Sequence, residues 1–231
     1  MNRQRIIGLW IISILVFIGS IFASNWQYER HLQRSSFSDF VNQRLSGSAI
    51  DLTEQSSPLS NWQRVQIVGK LGSDGPLIRS RPLDGRNGFW VTSTITTAQN
   101  ISYPVLLGWI PATSEATAVV SPPKIPVTQV KIEGILRDLE PRQSASDLPA
   151  GQFLSMDNET LNTNQSFFIH SLALSPDLKL PELRPVPIPN ISQGPHFFYA
   201  IQWLVFGFIA IFGTVWLIRS ESKSNVKTKS S

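Results

Sequence analysis

Two long stretches of this chain carry no charged side chain, and they constrain its fold more than any other feature. The first runs from Ile6 to Tyr28 and the second from Phe197 to Ile218. A helix needs roughly 20 apolar residues to cross the hydrocarbon core of a bilayer, so both stretches predict membrane-spanning helices. The first is longer than the roughly 7–15 apolar residues of a signal peptide, which favours an uncleaved anchor.

The charges that flank these stretches predict their orientation. The net charge is +2 in residues 1–25 and +3 in residues 197–231, whereas residues 26–196 carry −1. Basic residues beside membrane spans lie preferentially in the cytoplasm, so we expect both termini there and the central domain outside. The net positive charge is split between two tails rather than gathered on one surface, which argues against nucleic acid as a partner. The bilayer itself is the expected partner of the two spans.

The chain therefore divides into five predicted segments of a multi-pass protein of the cell membrane. These are a cytoplasmic N-terminus (1–5), a first span (6–28), an extracytoplasmic domain (29–195), a second span (196–218) and a cytoplasmic basic tail (219–231).

The extracytoplasmic domain has the pattern of a β-rich fold. All 16 prolines lie between Pro58 and Pro195, and short apolar or alternating runs between them predict strands. We expect helix in 29–45, a short helix capped by Asp157 and an extended strap over 181–195. The predicted fold class is a two-span α-helical membrane anchor with a mainly antiparallel β domain, a small barrel or sandwich with some α-helix. The six predicted strands are 62–70, 88–97, 104–111, 129–139, 152–156 and 167–175.

The composition and the absence of certain motifs exclude several kinds of functional site. There is no Cys, which excludes disulfides, thiolate metal sites and Cys nucleophiles. No phosphate-binding loop, nucleophile elbow or zinc-protease motif occurs. His170, with Asp157 or Glu159, is the nearest approach to an acid–base pair, but its apolar neighbours favour a hydrogen-bonded core histidine. The sequence favours a protein that is not an enzyme.

His196 is the residue that most suggests a site. It begins the second span, and helical spacing places Tyr199, Trp203 and Gly207 on the same face. A polar side chain at membrane depth tends to face protein or a cofactor, and an imidazole beside flat aromatic rings can ligate a haem iron. The alternative is an interfacial histidine that only anchors the helix, and composition alone favours it.

Six blocks of the chain, in order, resemble segments of one known family. The first, SNWQYERHLQR, matches a Gly-x-Trp-Gln-x-x-Arg segment at Trp26, Gln27 and Arg30, and the last resembles a His-Leu-x-Tyr-Ala-x-x-Trp signature. Together they resemble the Surfeit locus protein one family in its bacterial, actinobacterial type. One departure is Leu107, where the family usually has Arg. The six blocks are Ser24–Arg34, Arg64–Leu71, Arg79–Ile95, VLLGWIP at 105–111, VKIEGILRDLEPR at 130–142 and Gly194–Trp203.

The resemblance implies a membrane-anchored assembly factor for cytochrome c oxidase, a haem–copper oxidase of the respiratory chain. Such a factor assists haem a delivery or subunit maturation, and its implied partners are the catalytic subunit and the haem a synthesis machinery. The implied cofactor is haem a, held transiently, with His196 as the ligand of its iron. Arg30 and His31 would pair with its propionates. The alternative function is a cofactor-free, membrane-tethered scaffold or binding module. The site residues that the resemblance implies are Trp26, Gln27, Arg30, His196, Tyr199 and Trp203.

Overall fold

The chain forms two compact units. The computed structural model describes residues 3–53, 58–73, 75–113, 120, 122–145, 147–180 and 182–228, with side chains through residue 221. One unit contains the residues up to Phe40 together with those from Asn190 onward, and the other is Val41–Pro189.

Two long helices account for most of the first unit. Helix α1 is Arg3–Ser46 and helix α2 is His196–Thr228, and each holds a segment long and apolar enough to cross a membrane. The helical prediction for residues 29–45 is confirmed, and no Pro or Gly occurs between Gly19 and Gly47 to interrupt this part of α1. The boundary drawn between residues 28 and 29 therefore falls inside one continuous helix.

Small residues line the contact between α1 and α2. A Cβ atom on Gly207 would lie 3.0 Å from Cδ2 of Phe17 and 3.1 Å from Cβ of Ser20, so a larger residue would push the helices apart. The buried hydroxyls of Ser13 and Thr214 are hydrogen-bonded to each other. Close backbone approach and hydroxyl pairing are typical of helix pairs in lipid, where apolar burial gives little driving force.

The second unit is built on one eight-stranded sheet, and all six predicted strands are present in it. The strand order is β1-β2-β6-β8-β5-β4-β3-β7, with an additional pairing of β2 with β4. The strands are β1 Ile50–Asp51, β2 Arg64–Leu71, β3 Leu77–Ile78, β4 Gly88–Thr96, β5 Ser102–Pro111, β6 Gln129–Asp138, β7 Gln152–Phe153 and β8 Phe167–Ser175.

The β2–β4 pairing closes five strands into a barrel, which decides between the two predicted architectures. β2 pairs with β4 at Lys70↔Thr96 and Leu71↔Ile95, so the ring runs β2-β6-β8-β5-β4 and returns to β2. Closure depends on Gly69, because a Cβ atom there would lie 2.5 Å from the carbonyl oxygen of Thr96.

Alternating apolar side chains fill the barrel. In β2 the buried positions are Val65, Ile67, Gly69 and Leu71, and the residues between them are half-buried or exposed. These side chains join one apolar cluster with fully buried residues of β4 and β6 such as Ile95 and Ile132. Burial of each large aliphatic side chain contributes about 1.5–3 kcal/mol, so the alternation that predicted the strands also supplies the core.

The sheet is mainly antiparallel, as predicted, but it also contains parallel strand pairs. β5 and β8 are parallel, with Val105 opposite Ile169 and Leu106 opposite His170. β5 is buried on both faces from Tyr103 to Ile110, which is typical of a strand within a parallel pair. The two-residue strands β1 and β7 also pair in parallel, with β2 and β3.

The short helix predicted at Asp157 is wrong. Residues 158–162 form turns. The Asp157 carboxylate does accept the backbone N–H groups of Glu159 and Thr160, as a helix cap would. The Asn158 amide, however, donates to the carbonyls of Thr163 and Gln165 and closes the segment into a loop. Asx side chains compete with helical hydrogen bonds in this way.

The extended strap is confirmed within the described residues 182–190. Its part within the second unit, residues 182–189, is called the strap from here on. Arg184 and Trp109 exchange two backbone hydrogen bonds of 2.7 and 2.9 Å, which fasten the strap to β5. The Arg184 guanidinium also lies 5.3 Å from the Trp109 ring centroid and forms an ion pair with Asp84.

Candidate functional site

His196 is the first residue of α2, and the turn before it fixes where its ring lies. Gly194 has a φ of +70°, a conformation that a side chain rarely adopts. Pro195 then sets the backbone for the start of the helix, and its carbonyl accepts the N–H of Tyr199 at 3.2 Å. The His196 side chain is half-buried.

Gln27 of α1 holds the His196 ring. The Nδ1–H group of His196 donates to Oε1 of Gln27 at 2.9 Å. Because an amide oxygen only accepts hydrogen bonds, the neutral ring carries its proton on Nδ1 and leaves a lone pair on Nε2. Histidines that ligate metals use one ring nitrogen in this way while the other donates to a neighbouring acceptor.

Trp26 and Arg30 lie next to this pair on an exposed face of α1. The Arg30 guanidinium carbon is 6.0 Å from the Trp26 ring centroid, as helical spacing of four residues allows. Both side chains are exposed. They offer a positive charge and a flat apolar surface one turn of helix from each other.

Tyr199 and Trp203 flank the α1-facing side of α2. That side contains Ala200 and Gly207, both buried. Tyr199 is 46% exposed and Trp203 is 40% exposed, and the Trp203 ring packs against Phe206 with centroids 6.0 Å apart. No contact between either ring and His196 is recorded among the described residues.

His31 is more enclosed than its position beside Arg30 suggested. It lies one turn beyond Gln27, and its ring centroid is 5.5 Å from that of Phe197 and 6.3 Å from that of Tyr28. Its Nδ1 atom is buried and has no hydrogen-bond partner among the described residues. The four-residue step from Gln27 to His31 was the available signal that both side chains face the start of α2.

Comparison with known proteins decides the family. The sequence profile of the SURF1 family, the Surfeit locus protein one family named above, matches residues 14–208. The chain belongs to the SURF1 family. It is 25% identical over 218 residues to an uncharacterized SURF1-like protein of Mycobacterium bovis and to one of Mycobacterium tuberculosis. The alignment covers 88% of this chain and 79% of each relative. This membership supports a general role as a membrane-bound, SURF1-like assembly factor.

Leu107, where the SURF1 family usually has Arg, belongs to the barrel core. Its side chain is 9% exposed and joins the main apolar cluster. A charged group there would need a buried partner to offset its desolvation. In this member, position 107 therefore contributes packing.

His170 is a hydrogen-bonded core histidine, as predicted. It is 2% exposed, and its Nε2–H donates to the carbonyl oxygen of Val186 at 2.8 Å. Burial lowers the pKa of His170; the hydrogen bond to Val186 raises it and the charge of Arg137 lowers it further. Asp157 instead bonds Ser155 and Thr160, and Glu159 pairs with Arg142, so each candidate acid–base residue has a separate structural partner.

Proposed function

We propose that this SURF1 family member is an assembly factor for cytochrome c oxidase that helps haem a reach the catalytic subunit. The observation that carries the proposal is the hydrogen bond from His196 Nδ1–H to Gln27 Oε1. It holds the ring of an interfacial histidine in place and, in the neutral form of that ring, leaves the lone pair on Nε2.

The residues of the first unit fit the chemical groups of a haem. When bound, haem a would supply an iron that takes an imidazole nitrogen as a ligand, and His196 would provide that nitrogen. Gln27 holds the His196 ring in one tautomer, and an acceptor at the far nitrogen raises the basicity of the ligand. Arg30 offers its guanidinium to a propionate, while the exposed rings of Trp26, Tyr199 and Trp203 offer flat apolar surface to the macrocycle.

The proposal includes a topology and a set of partners. Both termini lie in the cytoplasm of a cell-membrane protein, and the barrel lies outside, since the net positive charge lies at the two ends of the chain, beside the spans. The proposed partners are the catalytic subunit of the oxidase and the haem a synthesis machinery. The protein acts by binding and transfer rather than by catalysis.

Haem content of the purified protein tests the ligand assignment. The full chain is expressed in a host that makes haem a, purified in a non-ionic detergent and compared with His196→Ala. We expect a haem spectrum from the unaltered chain and its loss from His196→Ala. The matched control is His170→Gln, which removes the histidine of the barrel core, keeps a donor for the carbonyl of Val186 and is expected to retain the haem.

Two results would overturn the ligand assignment. One is the absence of a haem spectrum in the unaltered chain; the other is an undiminished spectrum in His196→Ala. Normal oxidase activity and haem a content in cells that lack the protein would overturn the assembly role itself.

A cofactor-free scaffold is the second candidate, and the self-contained core of the barrel unit favours it. Restoration of oxidase activity in deletion cells separates the two. A scaffold predicts that full-length His196→Ala restores activity as well as the unaltered chain does, whereas haem delivery through His196 predicts a clear loss. Equal membrane levels of the two proteins are checked by immunoblot.

A further inference from the structure

The barrel unit contains a cavity that the proposed function does not use. The cavity has a volume of about 250 Å³ and lies beneath the strap. Apolar and aromatic side chains form much of its wall, including Trp90, Trp109, Phe168 and Val186. Ligand pockets usually measure roughly 300–1,000 Å³, so this one suits a small molecule of one or two rings.

Arg137 brings a positive charge to this wall. Its side chain lines the cavity, and its guanidinium carbon lies 3.8 Å from the ring centroid of Trp62. Its Nε atom is buried and has no hydrogen-bond partner within the described part of the chain. Burial lowers the pKa of Arg137, and the charges of Asp138 and Glu140 oppose that effect. Burial therefore weakens the hydration of the guanidinium at Nε, and the Nε–H group has no acceptor among the described residues.

The two carboxylates that line the cavity with Arg137, those of Asp138 and Glu140, already have other partners. Asp138 accepts a hydrogen bond of 2.6 Å from the Asn61 amide. Glu140 forms an ion pair with Arg81 and accepts the backbone N–H of Met156 at 2.9 Å. Among the described residues, no ion pair within 4.0 Å joins either carboxylate to Arg137. Among the described residues, Arg137 therefore has no ion-pair partner on this wall.

The strap forms the wall of the cavity that faces the barrel. Hydrogen bonds hold the strap in place, so the cavity is preformed. The strap is fixed to β5 by the Arg184–Trp109 hydrogen bonds and to β8 by the bond from His170 to Val186. The Trp109 indole also donates to the carbonyl of Arg81 at 2.6 Å. A preformed site costs less ordering free energy on binding than a flexible one.

We infer that this cavity binds a small carboxylate with a flat apolar body, its carboxylate paired with the Arg137 guanidinium. A guanidinium matches a carboxylate with two parallel hydrogen bonds, and the aromatic and proline wall receives the ring. This site is independent of His196.

A titration with benzoate tests the inference on the full-length chain in a non-ionic detergent. The readout is the set of indole ¹⁵N–¹H signals, with the Trp90 signal assigned from Trp90→Phe. We expect benzoate to shift the Trp90 signal saturably. Benzamide, which has the same shape without the charge, is expected to bind at least about tenfold more weakly, as is benzoate to Arg137→Gln.

Two control variants make the outcome specific. Lys131→Gln removes an exposed positive charge from the same strand, outside the cavity, and is expected to bind benzoate like the unaltered chain. His196→Ala is expected to do the same, so failure of the haem proposal leaves this one standing.

Three results would overturn the inference: no shift of the Trp90 signal with benzoate, equal affinity for benzamide, or undiminished binding by Arg137→Gln. The comparison of benzoate with benzamide uses the unaltered chain, and it therefore decides the question even where Arg137→Gln fails to fold.

Discussion

His196 and Gln27 are 169 positions apart in the sequence, yet one hydrogen bond between them decides which ring nitrogen carries the proton. An isolated neutral imidazole exchanges between two tautomers. An acceptor at Nδ1 selects one of them and leaves Nε2 free to bind a metal. Gln27 is therefore a positioning residue, and its effect is measurable without any cofactor.

Replacement of Gln27 by Leu should release the ring. A hydrogen bond contributes about 0.5–1.5 kcal/mol net, so the ratio of the Nδ1–H to the Nε2–H form should fall about 2- to 10-fold. The ¹⁵N shifts of the His196 ring, at a pH where it is neutral, report this ratio. Gln33→Leu, at an exposed position of the same helix, is the control. A ring already in the Nε2–H form in the unaltered chain would contradict the assignment.

His170 predicts a pH dependence of barrel stability. Burial holds its pKa below the ordinary value of 6.5, so the unfolded chain takes up this proton at a higher pH than the folded chain does. Stability should fall as the pH drops through 6.5 and level off below the folded-state pKa. Thermal unfolding measured from about pH 7 to about pH 5 checks this. His170→Gln should make the stability of the barrel less dependent on pH in this range. An unchanged pH dependence in this variant would contradict the role given to His170.

Some features of individual residues could be predicted from the sequence, and others could not. The position of His196 before an apolar helix was visible in the sequence, and the family resemblance singled out Gln27. The enclosure of His31 and the unpaired charge of Arg137 were not visible, because each depends on neighbours brought in from distant segments. Local patterns predict which face a side chain occupies but not what stands opposite it.

At the scale of elements, α1 and α2 form a pair whose contact can be tested by cross-linking. The chain has no native Cys, so introduced cysteines report on one contact at a time. The hydroxyls of Ser13 and Thr214 meet directly, and a cysteine is close in size to both side chains.

The double variant Ser13→Cys, Thr214→Cys should form a disulfide in membranes under mild oxidation. Adding Gly207→Leu should lower the yield severalfold, because a side chain at 207 would meet Phe17 and Ser20. Gel mobility before and after reduction measures the yield. Ile12→Cys paired with Thr214→Cys is the control, since Ile12 is 60% exposed; equal yields from the two pairs would refute the described contact.

The strands were predictable where their two faces differ. In β2 and β6, buried and more exposed positions largely alternate, and the sequence repeats that alternation. The parallel pairing of β5 with β8 was missed because it joins segments separated by β6. The continuous apolar run of β5 was a usable sign of it. Barrel closure was one of two predicted outcomes, and Gly69 is the local feature that permits it.

For the whole molecule, the distribution of charge predicts a topology that fusions can check. A fluorescent protein that folds only in the cytoplasm, attached after residue 231, should fluoresce. Alkaline phosphatase, active only outside, should be active when fused after residue 189 and inactive at the C-terminus. These results follow from the basic residues at both ends, and a dark C-terminal fusion would contradict the orientation.

The order of strands around the barrel also determines which strand edges remain unpaired while the chain is being synthesised. β8 is the last long strand to be made, and it fits between β6 and β5, which are made before it. Until residue 175 has left the ribosome, both neighbours keep an unpaired edge, and such edges recruit other strands. A pause in translation between β6 and β8 would prolong that exposure. The nine-residue strand Phe167–Ser175 therefore completes the barrel. We expect the protein to be most prone to aggregation before this strand has been synthesised.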